Sequence, residues 1–341
     1  MDQRLAALTD WLASLPDIGM KSITPASGDA SFRRYFRVHC HERSYIAMDA
    51  PPDRENCIPY VGIAEAMRRI GLNVPQILHR DLAQGFLLLT DLGERQYLEV
   101  LDKDNAGTLY RDALRSLLTL QKAGIPEGLL PDYNRRLLLD EMSLFGDWFV
   151  GRHLSVVISA ADRTLLARVS DWLADSALCQ PRVWVHRDYH SRNLMWTETD
   201  NPGILDFQDA VCGPVTYDLV SLLRDCYIDW PQQQIHGWLR DYHQWLRQEH
   251  IISLDPQVFL RWFDLMGVQR HLKAIGIFAR LNWRDHKPGY LKDIPRTMAY
   301  VLEVSRGYDE LSPFYSWLCR DILPAMAEAG MAMDTLAVYF K

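Results

Sequence analysis

The hydrophobic pattern of this chain changes its period near residue 93, and that change constrains the fold more than any other feature. Before it, short segments rich in β-forming residues predominate, and after it most segments have helical periodicity. The early strands are predicted at 32–39, 44–48, 76–79 and 85–89. We therefore predict an α+β chain with a small N-terminal antiparallel sheet lobe, residues 1–92, and a larger, mainly helical C-terminal lobe, residues 93–341.

Helical spacing of apolar residues predicts the remaining elements. The first helix presents a stripe made of Leu5, Leu8, Trp11, Leu12 and Leu15. Further helices are predicted at 55–70, 105–122, 134–153 and 161–178, and from residue 217 onward. A β-rich stretch at 183–207 interrupts this helical part, so a few strands are expected within the larger lobe.

Composition excludes several classes of protein. The chain has 341 residues, 48% of them hydrophobic and 24% charged, which is typical of a globular protein with about two domains. A net charge of -7 argues against a duplex nucleic acid as partner, because binding phosphates needs clustered Lys and Arg. The sequence contains no Gly-Lys pair and no Gly-x-Gly, which excludes a P-loop and a Rossmann fingerprint.

The cysteines and the N-terminal segment predict the compartment. The six cysteines are scattered without a Cys-x-x-Cys pair, so zinc and thioredoxin-like spacings are absent. The N-terminus has no apolar leader, and the longest apolar runs are far shorter than the roughly 20 residues of a membrane span. We expect a cytoplasmic monomer with reduced thiols and no contact with membranes.

One segment carries a recognisable chemistry. Residues 186–193 read His-Arg-Asp-Tyr-His-Ser-Arg-Asn, the H-R-D-x-x-x-x-N pattern of a kinase catalytic loop, and Asp206-Phe207 follows thirteen residues after Asn193. Phosphoryl transfer needs a carboxylate beside the acceptor hydroxyl and hard oxygen ligands for Mg²⁺. Asp188, Asn193 and Asp206 supply these groups. The alternative interpretation makes them turn and capping residues.

These motifs resemble the aminoglycoside phosphotransferase and choline kinase superfamily, whose members have a protein-kinase-like bilobal fold. The superfamily resemblance lies in residues 185–194 and 205–209. Longer strings resemble one subgroup, the bacterial cell-wall sugar kinases that phosphorylate the anomeric hydroxyl of N-acetylmuramate and N-acetylglucosamine. These strings are 28–38, 48–52, 213–219, 269–273, 278–280 and 287–291.

The resemblance implies a role for each matching residue. It makes Asp188 the catalytic base, Asn193 and Asp206 the Mg²⁺ ligands, and Asp218 a brace for the catalytic loop. A turn covering the ATP phosphates would consist of Gly28, Asp29, Ala30, Ser31 and Phe32. The interlobe hinge, with its backbone facing adenine, would contain Leu89, Thr90 and Asp91.

The sequence departs from the family pattern in two places. The strand at 45–49 has no lysine to pair with phosphates, and spacing leaves Arg33, Arg34 and Arg37 open as substitutes. In addition, Gln208 stands where D-F-G has glycine, so flipping of that loop is less expected.

Two stretches of the helical lobe, 216–230 and 269–287, are candidates for binding the acceptor. The second has five basic residues and one acidic residue, which suits an anionic or neutral acetylated sugar better than a polycationic aminoglycoside. A solvated basic helix face and aromatic core packing are the alternatives. The candidate substrate residues are Arg224, Asp225, Tyr227, Arg270, Lys273 and Arg280.

Together, these features predict an ATP- and Mg²⁺-dependent sugar kinase. The expected acceptor is the C1 hydroxyl of N-acetylmuramate, N-acetylglucosamine or both, in peptidoglycan recycling toward UDP-sugar precursors. An aminoglycoside kinase, an amino-alcohol kinase of the choline type and a nucleotide-binding pseudokinase remain as alternatives. The sequence leaves the preferred sugar and the choice between ATP and GTP open.

Overall fold

The computed structural model describes residues 2–28 and 32–339. The chain begins with helix α1 and a strand-rich region. Its elements are α1 Gln3–Ala13, β1 Ser22–Gly28, β2 Arg34–His39, β3 Ser44–Asp49, α2 Cys57–Arg69, β4 Ile77–Asp81, β5 Phe86–Thr90, α3 Tyr97–Val100 and α4 Ala106–Lys122.

The remainder is mostly helical, with four short strands. Its α-helices and strands are α5 Arg135–Leu144, α6 Ala160–Leu178, β6 Arg182–Val185, β7 Leu194–Met195, β8 Gly203–Ile204, β9 Val211–Pro214, α7 Tyr217–Leu223, α8 Gln232–Gln248, α9 Pro256–Asp285, α10 Ile294–Gly307, α11 Ser312–Trp317 and α12 Leu323–Glu328. Phe145–His153 and Leu318–Ile322 are π-helical, and Pro288–Asp293, Asp309–Leu311 and Asp334–Tyr339 are 3₁₀ segments.

The chain divides into two compact units that do not follow the sequence order. The first contains the chain up to Leu120 together with Pro126–Leu129 and Asn193–Ala210, so that β7 and β8 belong to it. The second contains Gln121–Ile125, Leu130–Arg192 and the chain from Val211 onward. The division at residues 92 and 93 stays a prediction.

The first unit is built on a five-stranded antiparallel sheet in the order β1-β2-β3-β5-β4. Alternating side chains of β2, including Phe36 and Val38, point to one buried face. The apolar stripe of α1 packs against that face through Leu8 and Leu12, which are almost fully buried. The amphipathic pattern thus explains why α1 covers the sheet.

The second unit is organised around the 30-residue helix α9, which packs on α5, α6, α7 and α10. Gly276 allows the closest of these contacts, because a Cβ atom there would lie 2.4 Å from the backbone carbon of Leu144 at the end of α5. β6 pairs antiparallel with β9 and sets the start of the loop that carries the kinase-like motif.

The predicted fold class is confirmed: an antiparallel sheet region is followed by a mainly helical remainder. Two local expectations were incomplete. The strand Ser22–Gly28 was not predicted, because Pro25 interrupts the β-forming pattern of the sequence. In the structure, the pairing of this strand with β2 shifts register between Pro25 and Ser27. The helix expected at 134–153 is α-helical only to Leu144 and then becomes π-helical.

Two further findings concern the described ranges, 2–28 and 32–339. None of their helices is both long enough and apolar enough to cross a membrane. The six cysteines all lie within these ranges and are free thiols.

Candidate active site

In the second unit, the first half of the motif is held by a buried carboxylate. β6 ends at Val185, and the backbone N–H groups of His186 and Arg187 donate hydrogen bonds of 2.6 and 2.9 Å to the two carboxylate oxygens of Asp218 on α7. Arg187 adopts a φ of +78°, a left-handed conformation that costs a non-glycine residue roughly 1–3 kcal/mol. The bracing role implied for Asp218 is therefore visible in the hydrogen bonds.

Asp188 follows this strained residue and is surrounded by basic groups. Burial acts to raise the pKa of its carboxyl, but Lys273 and other basic groups lower it more strongly, and the pKa falls to about 2. The other basic groups are His190, Arg187 and Arg270. Asp188 is consequently ionised at neutral pH, the state in which it can accept a proton.

Lys273 is fixed in this position by a buried ionic cluster. Its ammonium group donates to the Tyr217 hydroxyl at 3.0 Å and lies 3.2 Å from the carboxylate of Glu141 on α5. The Glu141 carboxylate also pairs with Arg187 and accepts a hydrogen bond from the Tyr133 hydroxyl. Burial acts to raise the pKa of Glu141, but Lys273 and Arg187 lower it overall. The cluster thus holds two cations near Asp188.

Asp225 and Arg270, both proposed as substrate residues, are also buried near this loop. The Asp225 carboxylate accepts backbone hydrogen bonds of 2.9 Å from Ser191 and from Tyr227. Arg270 is 5% exposed, and its contact with the Cys226 sulfur measures 3.7 Å. Burial acts to lower the pKa of Arg270, but Cys226, Tyr217 and then the carboxylates of Asp188 and Asp225 raise it overall.

Arg224 and Arg280, which are also substrate candidates, lie in different surroundings. Arg224 forms a 2.7 Å buried ion pair with Asp264, which also accepts a 2.7 Å hydrogen bond from Tyr308. These contacts connect the end of α7 to α9, so Arg224 has an evident packing role. Arg280 is half-buried further along α9, where burial and neighbouring Arg284 lower its pKa. An anion bound beside the Arg280 guanidinium would raise its pKa and so oppose the effects of burial and of Arg284.

In the first unit, the second half of the motif brings Asn193 and Asp206 together. β7 and β8 pair antiparallel, and the backbone N–H of Leu205 donates to the Asn193 carbonyl at 2.9 Å. The amide of Asn193 lies 3.3 Å from one Asp206 oxygen, and the amide of Gln208 lies 2.7 Å from the other. Asp206 has a φ of +63°. Backbone strain of this kind concentrates at functional sites.

These residues fit a magnesium ion. Asn193 and Asp206 offer an amide oxygen and carboxylate oxygens, the hard ligands that Mg²⁺ prefers. The two residues alone form a partial ligand set, which is usual for Mg²⁺ held jointly with nucleotide phosphates and water. Among residues 2–28 and 32–339, no group of three or more His, Cys, Asp or Glu side chains forms a metal cage.

The residues assigned to nucleotide binding also belong to the first unit. Gly28 ends β1, and the backbone N–H of Phe32 donates to a Glu55 carboxylate oxygen at 3.2 Å. Asp29, Ala30 and Ser31 lie outside the described residues. In the hinge segment, Leu89 is buried in β5, and Thr90 bonds to Gln76 through both its backbone and its hydroxyl.

The third hinge residue, Asp91, is fixed by its side chain. It accepts hydrogen bonds of 2.7 Å from Arg37, 2.7 Å from Ser44 and 3.0 Å from the backbone of Gly93. Burial acts to raise the pKa of Asp91, but these donors, Arg37 first, lower it overall. Arg37 therefore serves the hinge segment and is not available as the substitute for the strand lysine.

The other two arginines also have defined partners. Arg34 pairs with Asp49 and with Asp2 at the sheet. Arg33 forms a 2.8 Å ion pair with Glu55, directly before α2, and both side chains are at most 13% exposed. Glu65, the carboxylate within α2, pairs with Arg80 on the surface.

Arg33 is also near the predicted metal carboxylate. The ring of Tyr60 on α2 packs against Phe207, with centroids 4.9 Å apart. Burial raises the pKa of Tyr60, the Asp206 carboxylate raises it further, and Arg33 lowers it, so both charges act on one hydroxyl. Arg33 therefore lies in the same region of the first unit as the predicted metal carboxylate.

Comparison with known sequences identifies the family. A model of the phosphotransferase enzyme family matches residues 22–251. The chain belongs to that family. A protein of Pseudomonas putida named N-acetylmuramate/N-acetylglucosamine kinase is 47% identical, with 91% of this chain and 94% of that protein covered. A protein of Neisseria meningitidis with the same name is 42% identical, with 96% and 99% covered.

Solved structures of phosphotransferases and kinases have the same fold as this chain. The ADP-bound aminoglycoside phosphotransferase APH(2'')-Ib is 16% identical with a TM-score of 0.62, and 88% of this chain and 98% of that one are covered. The choline kinase of Streptococcus pneumoniae is 12% identical with a TM-score of 0.63, and 88% and 99% are covered. The resemblance drawn from the motifs is confirmed, as is a phosphotransferase with an alcohol group as acceptor.

Sequence reasoning on this phosphotransferase missed several residues around Asp188 and Asp206. His190 and Arg192 lie inside the motif itself, so their positions were already visible. Glu55 immediately precedes Asn56, the N-cap of α2, and a carboxylate at a helix start was the available signal. Tyr290 lies in the string 287–291 that resembles the sugar-kinase subgroup, which was the available signal, whereas nothing in the sequence links Asp293 to the motif about a hundred residues earlier.

Proposed function

We propose that this phosphotransferase is an ATP-dependent sugar kinase. The γ-phosphate is transferred to the C1 hydroxyl of N-acetylmuramate, N-acetylglucosamine or both, as a step in peptidoglycan recycling toward UDP-sugar precursors. The observation that carries the proposal is Asp188, a buried carboxylate kept ionised by Lys273 and other basic groups. The sugar assignment is supported by relatives at 42–47% identity that are named for these two substrates.

Asp188 acts as the base in this proposal. The acceptor O–H donates a hydrogen bond to the carboxylate, the oxygen attacks the γ-phosphorus, and the proton passes to Asp188 as the bond to ADP breaks. The cations near Asp188 keep the carboxylate ready to accept a proton at neutral pH. Asp218 keeps the loop in place through its two backbone hydrogen bonds.

The first unit holds the nucleotide in this proposal. Asn193 and Asp206 would hold Mg²⁺, which when bound offsets the negative charge of the phosphates. The turn from Gly28 to Phe32 would cover the phosphates, and the backbone of 89–91 would face adenine. Bound ADP in a structural neighbour supports the use of a nucleotide.

We also assign a phosphate contact to Arg33. Its pairing with Glu55 parallels the lysine–glutamate pair that orients ATP phosphates in protein kinases. Burial of both side chains pre-organises the guanidinium, whose donor fork suits phosphate oxygens.

The charges near Asp188 favour a neutral or anionic acceptor. Arg187, Arg270 and Lys273 all act on its carboxyl, and each would repel a polycationic aminoglycoside. A lactyl carboxylate, as in N-acetylmuramate, suits such surroundings. We further propose that the enzyme acts as a monomer in the cytoplasm, where ATP is available.

A panel of acceptors tests the function. The enzyme is mixed with Mg²⁺ and ATP or GTP, and ADP or GDP release is measured with N-acetylmuramate, N-acetylglucosamine, kanamycin and choline. Phosphorus NMR of the products distinguishes an anomeric phosphate from a phosphate on any other hydroxyl. The proposal expects anomeric phosphate from at least one acetylated sugar. Product only from kanamycin or choline, or nucleotide binding without any transfer, would contradict it.

A further inference from the structure

Several buried polar atoms in the region of Asp188 and Asp225 have no partner among the described residues. They are Nδ1 of His190, Oγ of Ser191, Nε of Arg270 and Oδ2 of Asp293. All four residues are less than 9% exposed. A buried polar atom without a hydrogen bond costs roughly 1–3 kcal/mol, so a group of them in one region suggests that a ligand supplies the missing partners.

An aromatic surface accompanies these atoms. The rings of Tyr227, Phe278 and Tyr290 form what we call the aromatic shelf, in which Phe278 and Tyr290 are stacked with centroids 5.7 Å apart. The guanidinium of Arg192 lies 3.9 Å from the Tyr227 ring centroid and 5.4 Å from that of Tyr290. The His190 ring meets Tyr227 edge-on at 5.3 Å.

Mutual electrostatic effects show that these groups share one region. Burial raises the pKa of Asp293, Arg192 lowers it and Asp225 raises it. Burial lowers the pKa of His190, which Asp225 and Asp188 raise. Asp293 thus lies near the charges that surround the shelf, and His190 links this region to Asp188.

One short segment delivers both a ring and a carboxylate to this region. Tyr290 and Asp293 belong to the 3₁₀ segment Pro288–Asp293 between α9 and α10. The Oδ1 atom of Asp293 is 3.9 Å from Arg296, beyond hydrogen-bond distance, while Oδ2 has no partner among the described residues. The carboxylate therefore retains capacity to accept a hydrogen bond from a ligand.

We infer that Asp293, Arg270 and the aromatic shelf form the acceptor pocket and bind an acetylated amino sugar. The apolar face of the sugar ring lies against the shelf, as amphipathic aromatic rings allow. A hydroxyl or amide N–H of the sugar donates to Oδ2 of Asp293, and Nε–H of Arg270 donates to a sugar oxygen nearer Asp188. This assignment rests on the proposed sugar kinase activity and adds the residues that select the sugar.

The charges of the region agree with a singly charged or uncharged ligand. Asp188, Asp225 and Asp293 are close to Arg192, Arg270 and Arg296, so cations and carboxylates nearly balance. A polycation and a polyanion would each meet repulsion in such a pocket, whereas a sugar with many hydroxyl groups meets donors and acceptors.

Asp293→Asn gives the decisive test, because it keeps the side-chain shape and removes one strong acceptor. We expect the KM for N-acetylglucosamine and for N-acetylmuramate to rise by about tenfold or more, since a hydrogen bond to a charged group is worth that much. The KM for ATP and the thermal midpoint should remain at wild-type values. Asp321→Asn, in the Leu318–Ile322 segment and paired with Arg320, is the matched control.

Tyr290→Leu and Arg270→Gln provide independent measurements if Asp293→Asn does not fold. Tyr290→Leu should raise the acceptor KM by about three- to tenfold through loss of ring contact. Arg270→Gln should raise the KM for the acceptor more than the KM for ATP. For each variant, the ratio of kcat/KM for N-acetylglucosamine to that for glucose should also fall, which a purely structural defect would not cause.

The outcomes separate the two proposals. If wild-type enzyme phosphorylates an acetylated sugar but folded Asp293→Asn and Tyr290→Leu keep wild-type acceptor KM values, the pocket assignment is wrong and the activity stands. If wild-type enzyme phosphorylates no sugar in the panel, the proposed function fails and the pocket assignment fails with it. A rise in acceptor KM that is matched by the Asp321→Asn control would also overturn the assignment.

Discussion

The two aspartates that carry the motif have opposite surroundings. Asp188, in the second unit, lies among buried basic groups that lower the pKa of its carboxyl to about 2 despite burial. Asp206, in the first unit, lies within hydrogen-bond distance of the neutral side-chain amides of Asn193 and Gln208. One carboxylate thus lies among cations of the protein, whereas the other is in contact with two uncharged amides.

This difference explains how one motif supports two tasks. A base must be ionised but must not bind the metal too strongly, and fixed cations around it satisfy both conditions. A metal ligand must attract a cation, so its carboxylate has to remain anionic when the metal binds. Strained backbone nevertheless positions both aspartates. Arg187, directly before Asp188, has a φ of +78°, and Asp206 itself has a φ of +63°.

Replacing the base should have the largest effect. Asp188→Asn keeps the side-chain volume but cannot accept the acceptor proton, so kcat should fall by about 10²–10⁴-fold. Nucleotide affinity, measured by calorimetry with Mg²⁺ and a non-hydrolysable ATP analogue, should change little because Asp188 is not a metal ligand in this scheme. A variant that keeps near-wild-type kcat would show that another group is the base.

Replacing the metal carboxylate should reverse that pattern. Asp206→Asn removes the charged ligand, and the Mg²⁺ concentration needed for half-maximal activity should rise by about 10–100-fold. The same titration followed by nucleotide binding should show a parallel loss of Mg²⁺-dependent affinity. If Asp206→Asn lowered kcat at saturating Mg²⁺ without changing the Mg²⁺ requirement, the contrast between the two aspartates would be wrong.

Much of this contrast could be predicted from the sequence, because it depends on local spacing. The string from His186 to Asn193, followed by Asp206-Phe207, identified the chemistry, and apolar periodicity located most helices and strands. The helix predicted at 55–70 is α2, Cys57–Arg69, and Gly71 follows it with a φ of +87°. Such features depend on neighbours within a few residues, which a single sequence displays directly.

The rest depended on pairing between distant residues. Arg224 was expected to bind substrate, yet its guanidinium lies in a buried ion pair with Asp264, forty residues further along the chain. The pairing of Arg33 with Glu55 and the placing of Asp293 near Arg192 likewise arise only when the chain is folded. Charge and residue type indicated that arginines were available, but only the structure gave their partners.

Arg33 allows the nucleotide side of the comparison to be tested. Arg33→Ala should raise the KM for ATP by about tenfold or more, because a charge-assisted contact to phosphate is lost and Glu55 is left partly buried without its cation. Arg33→Lys should recover part of that loss. The acceptor KM should change less than the ATP KM in both variants.

The matched control for Arg33 is Arg80→Ala. Arg80 pairs with Glu65 on the surface, where ion pairs contribute at most about 1 kcal/mol. Wild-type ATP affinity in this control, together with weakened affinity in Arg33→Ala, would support the phosphate contact. Equal affinities in the two variants would remove Arg33 from the site and leave the substitute for the strand lysine unassigned.

The smallest expected effect concerns the pH dependence of the base. With a pKa of about 2, Asp188 stays ionised, and kcat/KM should not decline on its account until the pH approaches that value. Lys273 is the strongest single influence that lowers this pKa, so Lys273→Met should raise it and move the acid limb toward higher pH by about one to three units. The sign follows because an active base must be deprotonated, and protonation then begins at higher pH.

A pH profile of kcat/KM from pH 3 to 8 checks this shift, with Lys122→Met as the control, because the limb expected in Lys273→Met falls within that range. Lys122 pairs with Glu249 on the surface at 2.6 Å and does not belong to the cluster around Glu141. Because Lys273→Met also removes one partner of buried Glu141, its thermal midpoint should fall, and the profile is measured well below that temperature. An acid limb that stays in place in folded Lys273→Met would mean that the cations around Asp188 stabilise the fold without tuning the base.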